Sequence, residues 1–111
     1  MMLVNGQASD TVSALDRGLA YGDGVFRTLR TQSGQPLWWA DHYAKLAADC
    51  AALLLDCPDE AELHGEVCRV AGSGQGVVKI MLTRGIGARG YALPSDRSAT
   101  RIVLSVPLPD H

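Results

Sequence analysis

One block of helical periodicity, from Asp41 to Gly72, interrupts a chain whose other apolar segments all read as strands. Within it Tyr43, Leu46, Ala47, Cys50, Leu53 and Leu54 fall on one stripe by the i, i+3, i+4, i+7 rule. Asp41 can cap this first helix, which the spacing carries to about Leu55. Pro58, with Asp59 and Glu60 behind it, opens a second helix that Gly72 closes. Before the block, Asn5-Gly6 is a hairpin turn signal, because both positions tolerate positive φ. Asp16 to Gly24 holds three glycines and reads as an irregular loop with at most one helical turn. Val25 to Thr31 is strand-like, Ser33-Gly34-Gln35 is a turn, and Pro36-Leu37-Trp38-Trp39 reads as the returning strand. After the block, Val77 to Thr83 and Ile102 to Val106 are strand candidates rich in β-branched residues. Strands, two helices, then strands is the order of a small α+β domain with a mostly antiparallel sheet packed by two helices.

The 111 residues make one domain, read as 1–106. Residues 107–111, Pro-Leu-Pro-Asp-His, read as the stiff start of a linker, so more chain is expected beyond them. With 47% hydrophobic and 20% charged residues, a packed core is expected rather than disorder. The net charge of −2 and the lack of a basic patch argue against a nucleic-acid partner. The longest apolar stretch, Ala51 to Leu55, is too short for a membrane helix, and the first residues lack the pattern of a signal peptide. Cys50, Cys57 and Cys68 are an odd count with no C-x-x-C, which speaks against a disulfide framework or a metal site and for a reduced, cytoplasmic setting. They read as small apolar packing residues.

Gly85-Ile86-Gly87-Ala88-Arg89-Gly90 matches the G-x-G-x-x-G pattern of dinucleotide-binding folds, directly after a predicted strand. That pattern works only where a helix opens at the glycines. Pro94 interrupts the short span before Arg101, so a crossover helix does not fit. The segment reads instead as a glycine loop carrying Arg84, Arg89 and Tyr91. Its arginines suit carboxylates, though solvated surface arginines would read the same way.

Three stretches taken together carry a family resemblance. Asp16-Arg17-Gly18-Leu19-Ala20-Tyr21-Gly22-Asp23-Gly24-Val25-Phe26 resembles the D-R-G-x-x-[YF]-G-D-G-x-[FY] signature of fold-type IV pyridoxal-phosphate enzymes. His42-Tyr43-Ala44-Lys45-Leu46 resembles the H-[LI]-x-R-L that opens their next helix. Thr83 to Tyr91 resembles the R-G-x-G-x-R-G-Y loop of aminodeoxychorismate lyases. The resemblance implies the amino-terminal small domain of a two-domain homodimeric enzyme, with pyridoxal 5′-phosphate held between the domains. It also implies that the lysine carrying the cofactor lies in the larger, carboxy-terminal domain. Lys45 and Lys79 are the only lysines here, and neither stands at the family position, so no catalytic residue is expected in this chain and the chain alone is expected to be inactive.

The same resemblance assigns candidate roles. Lys45 matches the arginine that contacts the cofactor phosphate. Lysine keeps the charge and loses the bidentate fork; a solvated helix lysine would occupy the same place, but its neighbours on that face, Ala44, Ala48 and Ala52, suit close packing. Phe26 and Thr28 share one side of their strand, with Val25, Arg27 and Leu29 on the other. The family turns the Phe26 side toward substrate, while a plain core phenylalanine is the competing reading. Arg89 and Tyr91 match a pair that helps trap a substrate carboxylate, often from the neighbouring subunit. Asp16, Arg17, Gly22, Asp23 and Gly24 read as structural, with Asp16 and Arg17 able to pair locally. His42 is expected to cap or orient the helix start, and His64 to lie on the surface. Trp38 and Trp39 are expected on opposite faces of a strand, and Arg27 has no assigned role. The implied activity is aminodeoxychorismate lyase in folate synthesis. Two rivals stand: a D-amino-acid or branched-chain aminotransferase on the same fold, and a non-catalytic domain that binds anionic metabolites or a protein partner.

Overall fold

The computed structural model describes residues 1–86 and 99–108. Six strands and three helices occur among them: β1 (Met2–Val4), β2 (Gln7–Ala8), α1 (Arg17–Tyr21), β3 (Gly24–Gln32), β4 (Gln35–Pro36), α2 (Trp39–Leu53), α3 (Glu60–Val70), β5 (Gln75–Thr83) and β6 (Thr100–Val106). The strands form one sheet in the order β2-β1-β6-β5-β3-β4, and every pair is antiparallel. The small α+β domain expected from the element order is therefore the fold observed. The Asn5-Gly6 turn closes β1 on β2 with φ of 52° and 82°, as a two-residue hairpin requires. β5 is central because it is long and β-branched. It pairs along its whole length with β3, from Gly24↔Thr83 to Gln32↔Gln75, and from Val77↔Val106 to Thr83↔Thr100 with β6.

The two faces of the sheet differ. Leu29, Val78, Ile80, Leu82, Val103 and Leu3 point to one side and are buried against Leu46 and Cys50 of α2 and Leu63, Val67 and Val70 of α3. Cys50 is thus a small apolar core residue. Arg101, on the same side of β6, ties sheet to α3 through Glu66 (2.8 and 2.7 Å) and Glu62 (3.1 Å). The other face, with Phe26, Thr28, Lys79, Met81 and Ile102, has no long helix over it among the described residues; only α1 borders it.

The helix boundaries correct three expectations. α2 begins at Trp39, two residues before the anticipated cap. Its N-cap is Trp38, whose left-handed backbone (φ 53°) turns the chain off the sheet edge, with no side-chain cap. Asp41 therefore sits inside the first turn, where its charge faces the helix dipole. The strand β4 stops at Pro36, so Trp38 and Trp39 do not lie on opposite faces of a strand. Trp38 is 67% exposed, and Trp39 packs against the core. α2 closes through a left-handed Leu54, and Leu55 turns into the core. α3 starts two residues after Pro58, because Asp59 supplies the cap, accepting from the Glu62 amide at 3.1 Å.

Candidate functional site

The segment Asp16 to Gly24 owes its shape to buried charge. Asp16 caps α1, its Oδ1 accepting from the Gly18 amide at 2.8 Å. Arg17 does not stay within that local turn. Its Nε donates to Asp23 Oδ2 at 3.0 Å, and Arg84 Nε donates to the same oxygen at 2.8 Å. Burial pushes the Asp23 carboxyl up, and the hydrogen bonds and charges of Arg84 and Arg17 outweigh it, holding the group below the ordinary carboxylate value. The glycines of this segment permit contact: a Cβ on Gly18 would collide with the Thr83 side chain, and one on Gly24 with the Leu82 carbonyl oxygen.

Arg84 corrects the sequence reading. It is neither a ligand-binding loop residue nor a solvated one, being 9% exposed. Its Nη1 and Nη2 donate to the carbonyls of Leu54 (3.1 Å) and Leu53 (2.6 Å). One guanidinium thus joins the signature segment, the end of β5 and the carboxyl end of α2, where helix carbonyls lack partners. Beyond it, the Arg17 amide donates to the Gly85 carbonyl at 2.9 Å, and Ile86 bridges to Asp16. The base of the glycine loop is therefore clamped to α1.

Between α1 and the open face of the sheet lies a cleft of about 360 Å³, walled by residues that include Val12, Leu19, Phe26, Met81 and Ile102, with Lys79 among them. Phe26 is 63% exposed, so it is not core packing; the alternation that the strand predicted puts it, with Thr28, on the open side. The Lys79 ammonium stands 5.0 Å from the centre of the Phe26 ring. Thr28 is the register partner of Lys79. The rim carries Asp16 and Gly18, beside the clamped start of the glycine loop. Arg89 and Tyr91 lie outside the described residues.

Lys45 is exposed on α2, on the helix side of the sheet, and is not part of the cleft wall. No ion pair engages it among the described residues, although Asp41 and Asp49 lie one turn away on either side. Arg27, which the sequence left without a role, holds His42. Its Nη2 donates to His42 Nδ1 at 2.9 Å, which places the His42 proton on Nε2 when the ring is neutral. Burial and the Arg27 charge both lower the His42 pKa below its ordinary value. His42 thus fixes β3 to the first turn of α2 rather than capping it. His64 is half-buried, edge-on to Trp39 at 5.3 Å, and not simply on the surface. Tyr43 donates to the Pro58 carbonyl at 2.7 Å, and burial beside Cys57 pushes its phenol up to about 12. No group of three or more His, Cys, Asp or Glu among the described residues is arranged to hold a metal, and no described helix is long and apolar enough to cross a membrane.

Sequence reasoning missed the Asp23–Arg84 clamp, the Arg27–His42 contact and Lys79. The last had a signal: period-2 alternation sets Lys79 between Val77 and Met81 on one strand face.

The crystal structure of 4-amino-4-deoxychorismate lyase from Pseudomonas aeruginosa superposes with a TM-score of 0.87 at 39% identity, over 98% of this chain and 40% of that one. Aminodeoxychorismate lyase of Vibrio harveyi is 33% identical over 93 residues, 83% of this chain and 34% of its own length. D-alanine aminotransferase of Listeria innocua is 31% identical over 91 residues, 78% of this chain and 32% of its own. The chain spans about a third of the length of these curated relatives. The sequence model of the amino-transferase class IV family matches residues 24–111, and the chain belongs to that family, with the fold of the fold-type IV small domain.

Proposed function

We propose that this chain is the small domain of a pyridoxal-phosphate-dependent aminodeoxychorismate lyase, which converts 4-amino-4-deoxychorismate to 4-aminobenzoate and pyruvate. The observation that carries the reading is the 39% identity with the Pseudomonas aeruginosa lyase over 98% of this chain. The aminotransferase reading is favoured by the 31% identity with the Listeria innocua enzyme, and both activities share the fold.

The cofactor, when bound, would supply an electron sink for loss of the ring proton on the amine-bearing carbon. The substrate's ring becomes aromatic as pyruvate leaves its enol ether, which supplies driving force. This chain's part in that chemistry is binding and orientation. Lys45 offers an ammonium to the phosphate. Phe26 forms part of the wall of the substrate cleft, with Thr28 beside it on the open face, and α1 borders the cleft. Arg89 and Tyr91, on the loop that Asp16, Arg17 and Arg84 anchor, take a substrate carboxylate. The base is a lysine in a larger domain, and the active unit is a cytoplasmic homodimer.

The test is an assay of the enzyme that carries this domain, with substrate and no keto acid. Equal release of 4-aminobenzoate and pyruvate supports the lyase. Turnover that depends on a keto acid acceptor moves the assignment to an aminotransferase.

A further inference from the structure

The fold meets its inward arginines with its own side chains, and Lys79 differs from them. Arg17 and Arg84 share Asp23, and Arg101 holds Glu62 and Glu66. Lys79 lies at the middle of the central strand, half-buried, and has no ion pair among the described residues. Its register neighbours are Thr28 on β3 and Leu104 on β6. No acidic residue occupies any register position on its face of β1, β3, β5 or β6. The ammonium is held over the Phe26 ring at 5.0 Å, a contact that orients a cation without neutralising it. Leu19, Met81 and Ile102 line the cleft around it.

We propose that Lys79 is a specificity-determining residue that receives one carboxylate of a dicarboxylate substrate, with Phe26 as its platform. The inference rests on the reading of the cleft as the substrate site and adds to it a second anionic anchor. A substrate with two carboxylates presents one for Lys79 besides the one that the proposed function assigns to Arg89. Lys79 stands at the middle of the central strand β5. A ligand with one carboxylate, satisfied at the loop, gains little from it.

The experiment uses the holoenzyme and two probes that need no turnover: chorismate, which has the substrate's two carboxylates with a hydroxyl in place of the amine, and benzoate, which has one carboxylate. In Lys79→Met, chorismate should bind roughly ten- to a hundredfold more weakly, with benzoate affinity and the cofactor absorbance spectrum unchanged. Lys79→Arg should recover most of the loss. With aminodeoxychorismate the effect should fall on KM rather than kcat. Lys79→Gln provides the same comparison if the methionine variant does not fold. Unchanged chorismate affinity overturns the proposal. So does an equal loss for both probes, or a changed cofactor spectrum, which would place the ammonium on the cofactor. Failure of the lyase reading looks different: the wild-type enzyme would release no 4-aminobenzoate, while the chorismate-against-benzoate comparison would still report on Lys79.

Discussion

Arg84 and His42 show how single side chains hold this domain in its working shape. Arg84 has all its described hydrogen bonds inside the fold, to Asp23 Oδ2 and to the last carbonyls of α2. Arg84→Ala would strand a buried carboxylate and two helix carbonyls, and should lower stability by about 3 kcal/mol, read from the urea midpoint. Arg84→Lys keeps the charge but not the fork and should recover only part. An alanine variant as stable as wild type would show that Asp23 and α2 need no such clamp. His42 sets a pH dependence. Its folded pKa lies below the ordinary 6.5, so the unfolded chain binds the proton more readily. The stability it contributes is present above pH 6.5 and is lost as pH falls through that value toward the lowered one. The stability difference between wild type and His42→Gln should therefore shrink from about pH 8 to about pH 5. A difference that stays constant or grows on acidification would contradict the assignment of a neutral ring accepting from Arg27.

At the scale of elements, the strands were legible because alternation and β-branching act locally. Val25 to Thr31 and Val77 to Thr83 were each extended by only one or two residues at their ends. The first turn of α2 was not legible. Asp41 has the residue type of a cap, yet the helix starts at Trp39 because Pro36 ends the ladder and a left-handed Trp38 turns the chain. Propensity alone does not foresee that a tryptophan will take this backbone; the geometry of the sheet edge demands it. Arg84 was misread for a related reason. It opens a glycine loop in sequence, but its partners are 61 and about 30 residues away. The loop itself carries the next prediction. Its base is clamped at Gly85 and Ile86 by contacts within the fold, and Arg89 is expected to act on substrate alone. In the complete enzyme Arg89→Ala should leave the cofactor spectrum intact and lower kcat/KM for aminodeoxychorismate roughly 10- to 1,000-fold, and Arg89→Lys should restore part. Full activity in Arg89→Ala would return the loop to a surface role.

At the scale of the whole molecule, one sheet does two jobs. Its inner face is a sealed core, from Leu3 to Val103. Its outer face presents Phe26 and Lys79 to a cleft. The family was legible from three motifs, whose glycines and charged residues answer to close contacts such as Gly18 on the Thr83 side chain and Asp23 on two arginines. Alternation put Phe26 and Thr28 on one side of β3, but not that this side is left uncovered. We propose that this chain shapes and steers the reaction while the lysine that holds the cofactor lies in a larger domain. The most direct test is to incubate the 111-residue chain with pyridoxal phosphate, reduce with borohydride and measure its mass. The account predicts no stoichiometric, site-specific adduct. One equivalent of cofactor fixed on Lys45 or on Lys79 would contradict it.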